Sequence, residues 1–304
     1  MDRTSRTGGA GRSGWGGQVA TVQQRVARAR EILRQSGIGS AESESSARVL
    51  AEHVLQWDTA RYLTLGTDPE PPDFAARYDA AVRRRAAREP SAYITGWQEF
   101  WGLAFEVSPA VLIPRPSTEL IVEAALEVFA TDPSRRLDVA DACTGCGNLA
   151  IALACELSNA SIVATDISEK ALEVARRNAE RHRVASRVRF VHANLLDGLN
   201  GPFDLIAANP PYVRQGDRSA LQPEVRDYEP SVALFGGSSG IELVAKVVEQ
   251  ASPRLRPGGY LMFEFGFGQD VAVEELIASE PALTMMGVRR DLEGIARTAV
   301  ARKL

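Results

Sequence analysis

The stretch DVADACTGCGNLAIALA, residues 138–154, decides the fold. It begins as an apolar strand, passes through a loop that contains Gly145 and Gly147, and continues as an apolar helix. Glycine lets the backbone turn tightly and approach a ligand closely, and the free N–H groups at a helix N-terminus point outward. This segment therefore predicts a ligand site between a buried strand and the helix that follows it.

A carboxylate ends the next predicted strand. The run SIVATD closes on Asp166, nineteen residues beyond Gly147. At this point of a Rossmann-type unit, an acid accepts both hydroxyl hydrogens of a ribose. We therefore expect Asp166 to bind the ribose of a cofactor.

Helical and strand-like segments alternate through this part of the chain. Such alternation is typical of an α/β fold with a mostly parallel sheet and helices on both faces. Strands are predicted at 137–142, 161–165, 187–192, 203–208, 259–265, 283–289 and 296–302. Helices are predicted at 117–130, 148–157, 169–182, 239–254 and 270–279.

Two cofactor classes fit the glycine loop. The pattern Gly145-x-Gly147-x-x-Ala150 satisfies the dinucleotide fingerprint, so a nicotinamide dehydrogenase is one interpretation. Asp141, two residues before the loop, would repel a pyrophosphate but suits a ligand that carries an amino group and a sulfonium charge. This acid favours S-adenosylmethionine.

Cys143 and Cys146 form a C-x-x-C pattern, which raises a redox or zinc interpretation. Only Cys155 lies nearby and the three histidines show no ligand spacing, whereas a zinc site needs four donors, or three and a water. We therefore expect no metal and interpret both cysteines as small packing residues in a tight turn. The cysteine usage fits a reducing compartment better than a disulfide framework.

A second polar group follows a buried strand. The apolar run FDLIAA, residues 203–208, leads into the motif NPPY, which spans Asn209 to Tyr212. Pro210 and Pro211 lack N–H groups and fix φ, so the chain leaves the sheet in a stiff conformation that holds the Asn209 side chain in one direction. Open α/β sheets bind ligands at the carboxyl ends of their strands. Asn209 is therefore a candidate site residue.

The composition of the 304 residues indicates a globular protein, because 45% are hydrophobic and 24% are charged. A net charge of −4 and a pI near 5.6 argue against broad binding to nucleic acid, so we expect a small-molecule or protein partner. No apolar run has the length of a membrane span, and the first residues lack the apolar core of a signal peptide. We therefore expect a cytoplasmic protein that contacts no membrane.

Four regions are predicted along the chain. Residues 1–18 are rich in Gly, Arg and Ser and are expected to be a disordered tail. Residues 19–90 carry three segments of helical spacing and are predicted to form a helical domain, in which the basic run Arg83–Arg85 is a solvated helix face. Residues 91–115 alternate aromatic and β-branched residues with glycine turns, which predicts a β-hairpin linker. Residues 116–304 hold the α/β domain.

The motifs taken together resemble one family. The segments EPSAYITGWQEFWGLAFEVSPAVLIPRPSTELIVE, DACTGCGNLAIA, VATDIS, NPPYV, EVRDYEP and PGGYLMFEFGFGQ are similar to those of bacterial protein-(glutamine-N5) methyltransferases of the HemK/PrmC type. The resemblance covers residues 21–302 in order and implies a seven-stranded class I sheet that binds S-adenosylmethionine. It also implies the reaction, which is methylation of the glutamine in the Gly-Gly-Gln motif of peptide-chain release factors.

The resemblance implies a set of cofactor-binding residues and shows two departures from the family pattern. Asn194 and Leu195 stand where the family usually has an acid and an aromatic beside the adenine, so an amide replaces the acid. Ser117 replaces another acid, whereas Glu119 is kept, and we interpret Ser117 as a cap of the following helix. The predicted cofactor-binding residues are Asp141, Cys143, Thr144, Gly145, Cys146, Gly147, Asp166, Asn194, Leu195 and Asn209.

The implied reaction explains the NPPY motif. An amide nitrogen is a poor nucleophile because its lone pair is delocalised into the carbonyl. The Asn209 side-chain oxygen and the Pro210 carbonyl are predicted to accept its two hydrogens and to position the nitrogen in line with the methyl–sulfur bond. Tyr212 and Phe100 are predicted to wall the pocket and sandwich the planar glutamine side chain. The predicted catalytic residues are Asn209, Pro210, Pro211, Tyr212 and Phe100.

Other activities fit parts of the pattern. A close variant methylates a glutamine of a large-subunit ribosomal protein, and the glycine loop does not separate the two. An N6-adenine DNA methyltransferase is less favoured, because the chain has no obvious target-recognition domain and an acidic pI. A module that binds the cofactor and only docks on translation factors is a non-enzymatic alternative. We expect a monomer whose helical domain and hairpin hold the release factor.

Overall fold

The computed structural model describes residues 20–130, 132 and 134–304. The predicted disordered tail, residues 1–18, lies outside the described residues. The chain divides after Ala87 into two compact units. Among the helices that the structure describes, none is long and apolar enough to cross a membrane.

The first unit is helical. Its helices are α1 (Val22–Gln35), α2 (Ser40–Leu55), α3 (Thr59–Leu65) and α4 (Phe74–Ala86). α1 begins at a capping box, in which Thr21 Oγ1 accepts a hydrogen bond from Gln24 N at 3.2 Å and Gln24 Oε1 accepts one from Thr21 N at 3.0 Å. Three helices match the predicted segments. α3 was not predicted because its one buried residue, Tyr62, gives no apolar repeat.

The run Arg83–Arg85 does not form a single solvated face. Arg85 is only 1% exposed, and its guanidinium donates to Glu42 Oε1 at 2.6 Å and to Ser46 Oγ at 3.3 Å, both on α2. Successive helical residues point in different directions, so one of three consecutive arginines faces the neighbouring helix. The solvated-face interpretation is therefore wrong for Arg85, while Arg83 and Arg84 are exposed.

A short helix and a hairpin open the second unit. They are α5 (Ser91–Thr95), β1 (Trp97–Phe100) and β2 (Leu103–Glu106). β1 and β2 pair antiparallel, so the hairpin of the predicted fold is confirmed. Trp101 and Gly102 form its turn with φ of 53° and 67°, a backbone region in which glycine carries no steric cost. α5 was not predicted because five residues are too few to show a helical period.

The rest of the second unit alternates strands and helices. Its strands are β3 (Leu137–Ala142), β4 (Ala160–Asp166), β5 (Val188–His192), β6 (Phe203–Ala208), β7 (Val213–Arg214), β8 (Phe235–Gly237), β9 (Leu255–Glu264), β10 (Leu283–Arg290) and β11 (Ala296–Lys303). Its helices are α6 (Glu119–Phe129), α7 (Asn148–Glu156), α8 (Glu169–Arg181), α9 (Pro223–Tyr228), α10 (Glu242–Arg254) and α11 (Asp270–Ala278).

Seven of these strands form one sheet in the order β10-β11-β9-β6-β3-β4-β5. β3, β4, β5, β6 and β9 run parallel, and β11 is antiparallel to both of its neighbours. The predicted seven-stranded, mostly parallel sheet is confirmed. β3 lies between β4 and β6, so the strand order reverses at β3, and such a reversal opens a crevice at the carboxyl ends of the strands.

β3 and β6 occupy the residues predicted for them, 137–142 and 203–208. Both are almost wholly buried, so each reads as a short apolar run that stops at a loop signal. β9 begins earlier than predicted, because Leu255 pairs with Phe203 before a register irregularity. The apolar pattern of the sequence does not indicate where strand pairing begins, so it did not predict this earlier start.

Two apolar clusters cover the faces of the sheet. One contains Val139 and Leu205 with residues of α6 and α7, and the other contains Ala140 and Ile206 with residues of α10 and α11. Neighbouring residues of a strand point to opposite faces, so each strand contributes to both clusters. The faces are thus closed by helices, and the strand ends remain for a ligand.

Candidate active site

The loop after β3 turns through left-handed backbone conformations. Gly145 has φ of 56° and Gly147 has φ of 84°. A side chain at Gly147 would begin 2.9 Å from Ile151 Cδ1 and 3.1 Å from Ala175 Cβ, whereas around Gly145 no described atom lies within 4 Å of that point. Gly147 therefore permits close packing of the loop on α7 and α8, and Gly145 leaves the backbone open to a ligand.

Asp141 near the end of β3 carries a buried acceptor oxygen. The residue is 1% exposed, and its Oδ2 accepts a hydrogen bond from Thr144 Oγ1 at 2.6 Å. Its Oδ1 finds no hydrogen-bond partner among the residues that the structure describes. Burial raises the pKa of Asp141 to about 7, although the Thr144 hydroxyl acts in the opposite direction. A cationic donor brought by a ligand would satisfy this oxygen and favour the carboxylate.

The Asp166 carboxylate is fixed by backbone groups at the end of β4. Its Oδ2 accepts from Gly145 N at 2.9 Å and its Oδ1 accepts from Ser168 N at 2.9 Å. Burial raises its pKa, and the backbone N–H groups of Ser168 and Gly145 oppose this shift. A carboxylate offers about four acceptor sites, so each oxygen still has a lone pair for a hydroxyl group.

A cavity of about 230 Å³ opens at these strand ends. The predicted cofactor residues Cys146 and Gly147 do not line it, because Cys146 is 1% exposed and Gly147 packs under the loop. The predicted residues that do line it are Asp141, Cys143, Thr144, Gly145, Asp166, Asn194, Leu195, Asn209 and Pro211. The structure thus brings the ends of β3, β4 and β6 together around one space.

The cysteines of the loop are free thiols. Burial raises the pKa of Cys146 to about 12 and moves the pKa of Cys143 in the same direction, which keeps both thiols protonated at neutral pH. Within the described residues, no group of three His, Cys, Asp or Glu side chains is arranged to hold a metal ion.

Asn209 is held by a hydroxyl group from a distant segment. Its Nδ2 donates to Thr118 Oγ1 at 3.0 Å, and Thr118 ends the 3-10 turn Pro116–Thr118 that leads into α6. The Thr118 hydroxyl in turn donates to Glu264 Oε2 at 2.6 Å. The side-chain oxygen of Asn209 takes no part in this contact, and the residue lines the cavity.

Glu264, the last residue of β9, is fully buried and joins several hydroxyl groups. Besides Thr118, Tyr212 Oη donates to its Oε1 at 2.8 Å and Ser117 Oγ lies 3.3 Å from the same oxygen. Ser117 forms no side-chain cap of α6, so our interpretation of it as a helix cap is wrong. Burial raises the pKa of Glu264, and the hydroxyl donors oppose this shift.

Gln269 and two glycines pack closely against the backbone of the NPPY motif. Gln269 Nε2 donates to the Tyr212 carbonyl at 3.1 Å. A Cβ at Gly236 would lie 2.3 Å from the Pro211 carbonyl oxygen, and one at Gly240 would lie 2.5 Å from the Tyr212 carbonyl oxygen. Only glycine fits at both positions, and the motif is held as a rigid loop.

Phe100 and Tyr212 do not wall the cavity in the way the sequence suggested. Phe100 is 1% exposed and lies in the apolar core. Its ring packs edge to face with that of Phe105, with 6.1 Å between the two ring centroids. Tyr212 does not line the cavity, and its hydroxyl donates to Glu264 Oε1 at 2.8 Å. The structure therefore brings Asn209 and Pro211 to the cavity, but not Phe100, Tyr212 or Pro210.

Sequence reasoning assigned no role to Arg115 and Glu229. The Arg115 guanidinium donates to Glu229 Oε1, and Ile113 N donates to Glu229 Oε2 at 3.4 Å. Arg115 lines the cavity, and the chain that follows Glu229 supplies Pro230 and Val232 to the same wall. The signal was present, because the segments IPRP and DYEP were recognised as motifs.

Two family models match the chain. The PrmC N-terminal domain matches residues 24–96, and the Methyltransferase small domain matches residues 118–224. The release factor glutamine methyltransferase of Bradyrhizobium diazoefficiens is 41% identical over 271 residues, which are 86% of this chain and 89% of that protein. The chain belongs to the release factor glutamine methyltransferase family. This membership confirms the resemblance seen in the motifs.

Further relatives agree with the family and the fold. The release factor glutamine methyltransferase of Cereibacter sphaeroides is 40% identical over 272 residues, 89% of this chain and 95% of that protein. The crystal structure of a methyltransferase from Pyrococcus furiosus aligns with a TM-score of 0.50 at 21% identity, over 75% of this chain and 98% of that chain. The structural likeness supports the sheet architecture of the family.

Proposed function

We propose that the chain transfers a methyl group from S-adenosylmethionine to the side-chain nitrogen N5 of the glutamine in the Gly-Gly-Gln motif of peptide-chain release factors. The observation that carries this proposal is the meeting of Asp141, Asp166 and Asn209 around one cavity. Two acids suit a ligand with an ammonium group and a ribose, and a fixed amide suits an uncharged amide substrate. The names of the relatives supply the substrate class.

The residues present fit the methyl donor. Asp141 Oδ1, which has no hydrogen-bond partner among the described residues, is an acceptor for its ammonium group, and the fixed Asp166 carboxylate is an acceptor for its ribose hydroxyls. Asn194 and Leu195 line the same cavity and would flank the adenine. When bound, S-adenosylmethionine supplies an electrophilic methyl group on a positively charged sulfur.

The NPPY motif would position the substrate nitrogen. The Asn209 oxygen, at the cavity, would accept one of its N–H hydrogens, and the Pro210 carbonyl, whose residue does not line the cavity, is proposed as the acceptor for the other. Two such contacts would orient the nitrogen lone pair. Orientation of this kind contributes on the order of 7–11 kcal/mol in well-aligned model reactions. As the nitrogen–methyl bond forms, the sulfur–methyl bond would break and S-adenosylhomocysteine would leave. The same two carbonyl dipoles would stabilise the positive charge on the nitrogen, which then loses one proton to water, so no strong base is required.

Asp166→Ala is expected to weaken binding of S-adenosylhomocysteine by about ten- to hundredfold, because a hydrogen bond to a charged group contributes roughly 1.5–3 kcal/mol. Calorimetry measures the affinity. Glu169→Ala is the control, because Glu169 is exposed and pairs with Arg176 on the surface of α8. Equal affinities for both variants would contradict the ribose assignment.

The substrate class is tested by offering several acceptors to one enzyme. The protein is incubated with S-adenosylmethionine labelled in its methyl group, together with a release factor, a large-subunit ribosomal protein or DNA. We expect label in the release factor alone. Label in the ribosomal protein or in DNA identifies the alternative activities, and the net charge of −4 is unfavourable for the DNA outcome.

The remaining expectations follow from this proposal. A release factor as substrate implies the cytoplasm as the site of action. The helical unit is proposed to hold the protein substrate, and the enzyme is proposed to act as a monomer. The predicted domain bounds at residues 19–90, 91–115 and 116–304 stay predictions.

A further inference from the structure

A buried carboxylate joins both ends of the NPPY motif. Glu264 has no exposed surface, receives the Tyr212 hydroxyl directly at 2.8 Å, and receives the Thr118 hydroxyl at 2.6 Å. Thr118 is 1% exposed and contacts Asn209 Nδ2 at 3.0 Å. Glu264 thus contacts Tyr212, the last residue of the motif, directly. It is linked to Asn209, the first residue, through the Thr118 hydroxyl.

The hydrogens of this chain can be assigned by counting donors. A hydroxyl group has one hydrogen. The Thr118, Tyr212 and Ser117 hydroxyl groups all lie within hydrogen-bond distance of Glu264 and favour its ionised form against the effect of burial, and an ionised carboxylate only accepts. The Thr118 hydrogen is therefore committed to Glu264, and Thr118 Oγ1 can only accept from its other neighbour. That neighbour must be the NH₂ group of Asn209, because the opposite amide orientation would place two lone-pair oxygens against each other.

We propose that Glu264 and Thr118 are positioning residues that fix the orientation of the Asn209 amide, so that its oxygen is available to the substrate nitrogen. This inference rests on the proposed function for its catalytic consequence. The orientation itself is a property of the protein alone. Asn and Gln amides are nearly symmetric in shape, so without a one-way acceptor such as Thr118 the two orientations would compete.

A purely structural role for the same residues makes different predictions. If Thr118 only filled space, valine would replace it without loss, because the two side chains have the same shape. If any buried hydroxyl were needed, Thr298→Val would be equally harmful. Thr298 lies opposite Glu264 in the sheet, is fully buried, and has a hydroxyl with no hydrogen-bond partner among the described residues. Thr298→Val is therefore a matched control.

The first measurement is single-turnover methyl transfer to a release factor. Thr118→Val is expected to be slower by about tenfold to hundredfold, because misplacing a reacting group by roughly 1 Å can cost 10²-fold. Thr118→Ser keeps the hydroxyl and should recover most of the rate, and Thr298→Val should match wild type. Affinity for S-adenosylhomocysteine should stay within about twofold in all three, as expected for a loss confined to the transition state.

The second measurement reports the amide without any reaction. In protein labelled with ¹⁵N-asparagine, the side-chain NH₂ resonances of Asn209 are identified by their absence in Asn209→Ala. Thr118→Val should shift these resonances, Thr118→Ser should restore them, and Thr298→Val should leave them in place. Glu264→Gln provides a second route if Thr118→Val does not fold, because its amide can donate to Thr118 and release the Thr118 hydrogen toward Asn209.

The two measurements separate the two proposals. If wild type transfers no methyl group to a release factor, the proposed function fails, and the resonances alone decide the orientation. Unchanged Asn209 resonances in Thr118→Val, a rate equal to wild type, or an equal loss in Thr298→Val would each overturn the positioning role. Loss of rate with shifted resonances, restored by serine, would establish it.

Discussion

Asn209→Ala is expected to slow single-turnover methyl transfer by about 10²–10³, the usual effect of removing one preorganised contact to a transition state, or roughly 2.7–4 kcal/mol. The variant loses one of the two acceptors that orient the substrate nitrogen. The fold should persist, because β6 before the residue is fully buried and the two prolines after it are unchanged. Affinity for S-adenosylhomocysteine, measured by calorimetry, should change far less than the rate.

Asn209→Asp separates the two functions of the amide. Aspartate keeps an acceptor oxygen for the substrate but has no N–H to donate to Thr118, which lies 3.0 Å from Asn209 Nδ2. We expect partial activity from Asn209→Asp and almost none from Asn209→Ala. A rate for Asn209→Ala within about threefold of wild type would show that the positioning mechanism is wrong.

Asp141→Asn is expected to weaken S-adenosylhomocysteine binding by about 3–5 kcal/mol, the usual cost of leaving one partner of a buried ion pair alone. Asparagine has the shape of aspartate and can still accept from Thr144, so the change removes mainly the charge. Asp138→Asn on the same strand is the control, because Asp138 is 48% exposed and pairs with Arg256. Equal affinities for the two variants would exclude Asp141 from the ammonium site.

The raised pKa of Asp141, about 7, gives the same interaction a pH signature. Below this pH the acid is mostly protonated in the free protein, and binding of an ammonium group must release that proton. The affinity for S-adenosylhomocysteine should therefore rise between about pH 5 and pH 7, because binding in this range releases a proton. Above about pH 7 the affinity should level off. Burial also raises the pKa of Asp166, but Asp166 is present in both wild type and Asp141→Asn. A pH dependence of affinity that disappears in Asp141→Asn is therefore due to Asp141. An unchanged slope would contradict this assignment.

The sequence pattern was sufficient for the groups that follow buried strands. β3, β4 and β6 are short apolar runs, and a polar side chain at or just after the end of each one, at Asp141, Asp166 and Asn209, must reach the same crevice of a parallel sheet. Pro210 and Pro211 mark the end of β6, and Gly145 and Gly147 mark the loop after β3, because proline and glycine commonly interrupt strands and helices. The position of the site was therefore encoded locally.

The contacts that hold these groups were not encoded locally. Thr118 and Glu264 are hydrogen-bonded although they lie 146 positions apart in the sequence. Neither residue belongs to a sequence pattern that predicts its partner. Phe100 was placed at the site by resemblance, yet an aromatic on a short strand gains as much by packing in the core, and its ring lies against Phe105. Side-chain contacts between distant segments depend on the packed structure, which periodicity does not describe.

The position of the transferred methyl group is the most direct test of the account. A release factor is treated with the enzyme and S-adenosylmethionine, digested, and fragmented in a mass spectrometer, beside a release factor in which the glutamine of its Gly-Gly-Gln motif is replaced by glutamate. We predict one methyl group on the side-chain nitrogen of that glutamine and none in the replaced protein. A methyl group on any other atom, or in both proteins alike, would contradict the account.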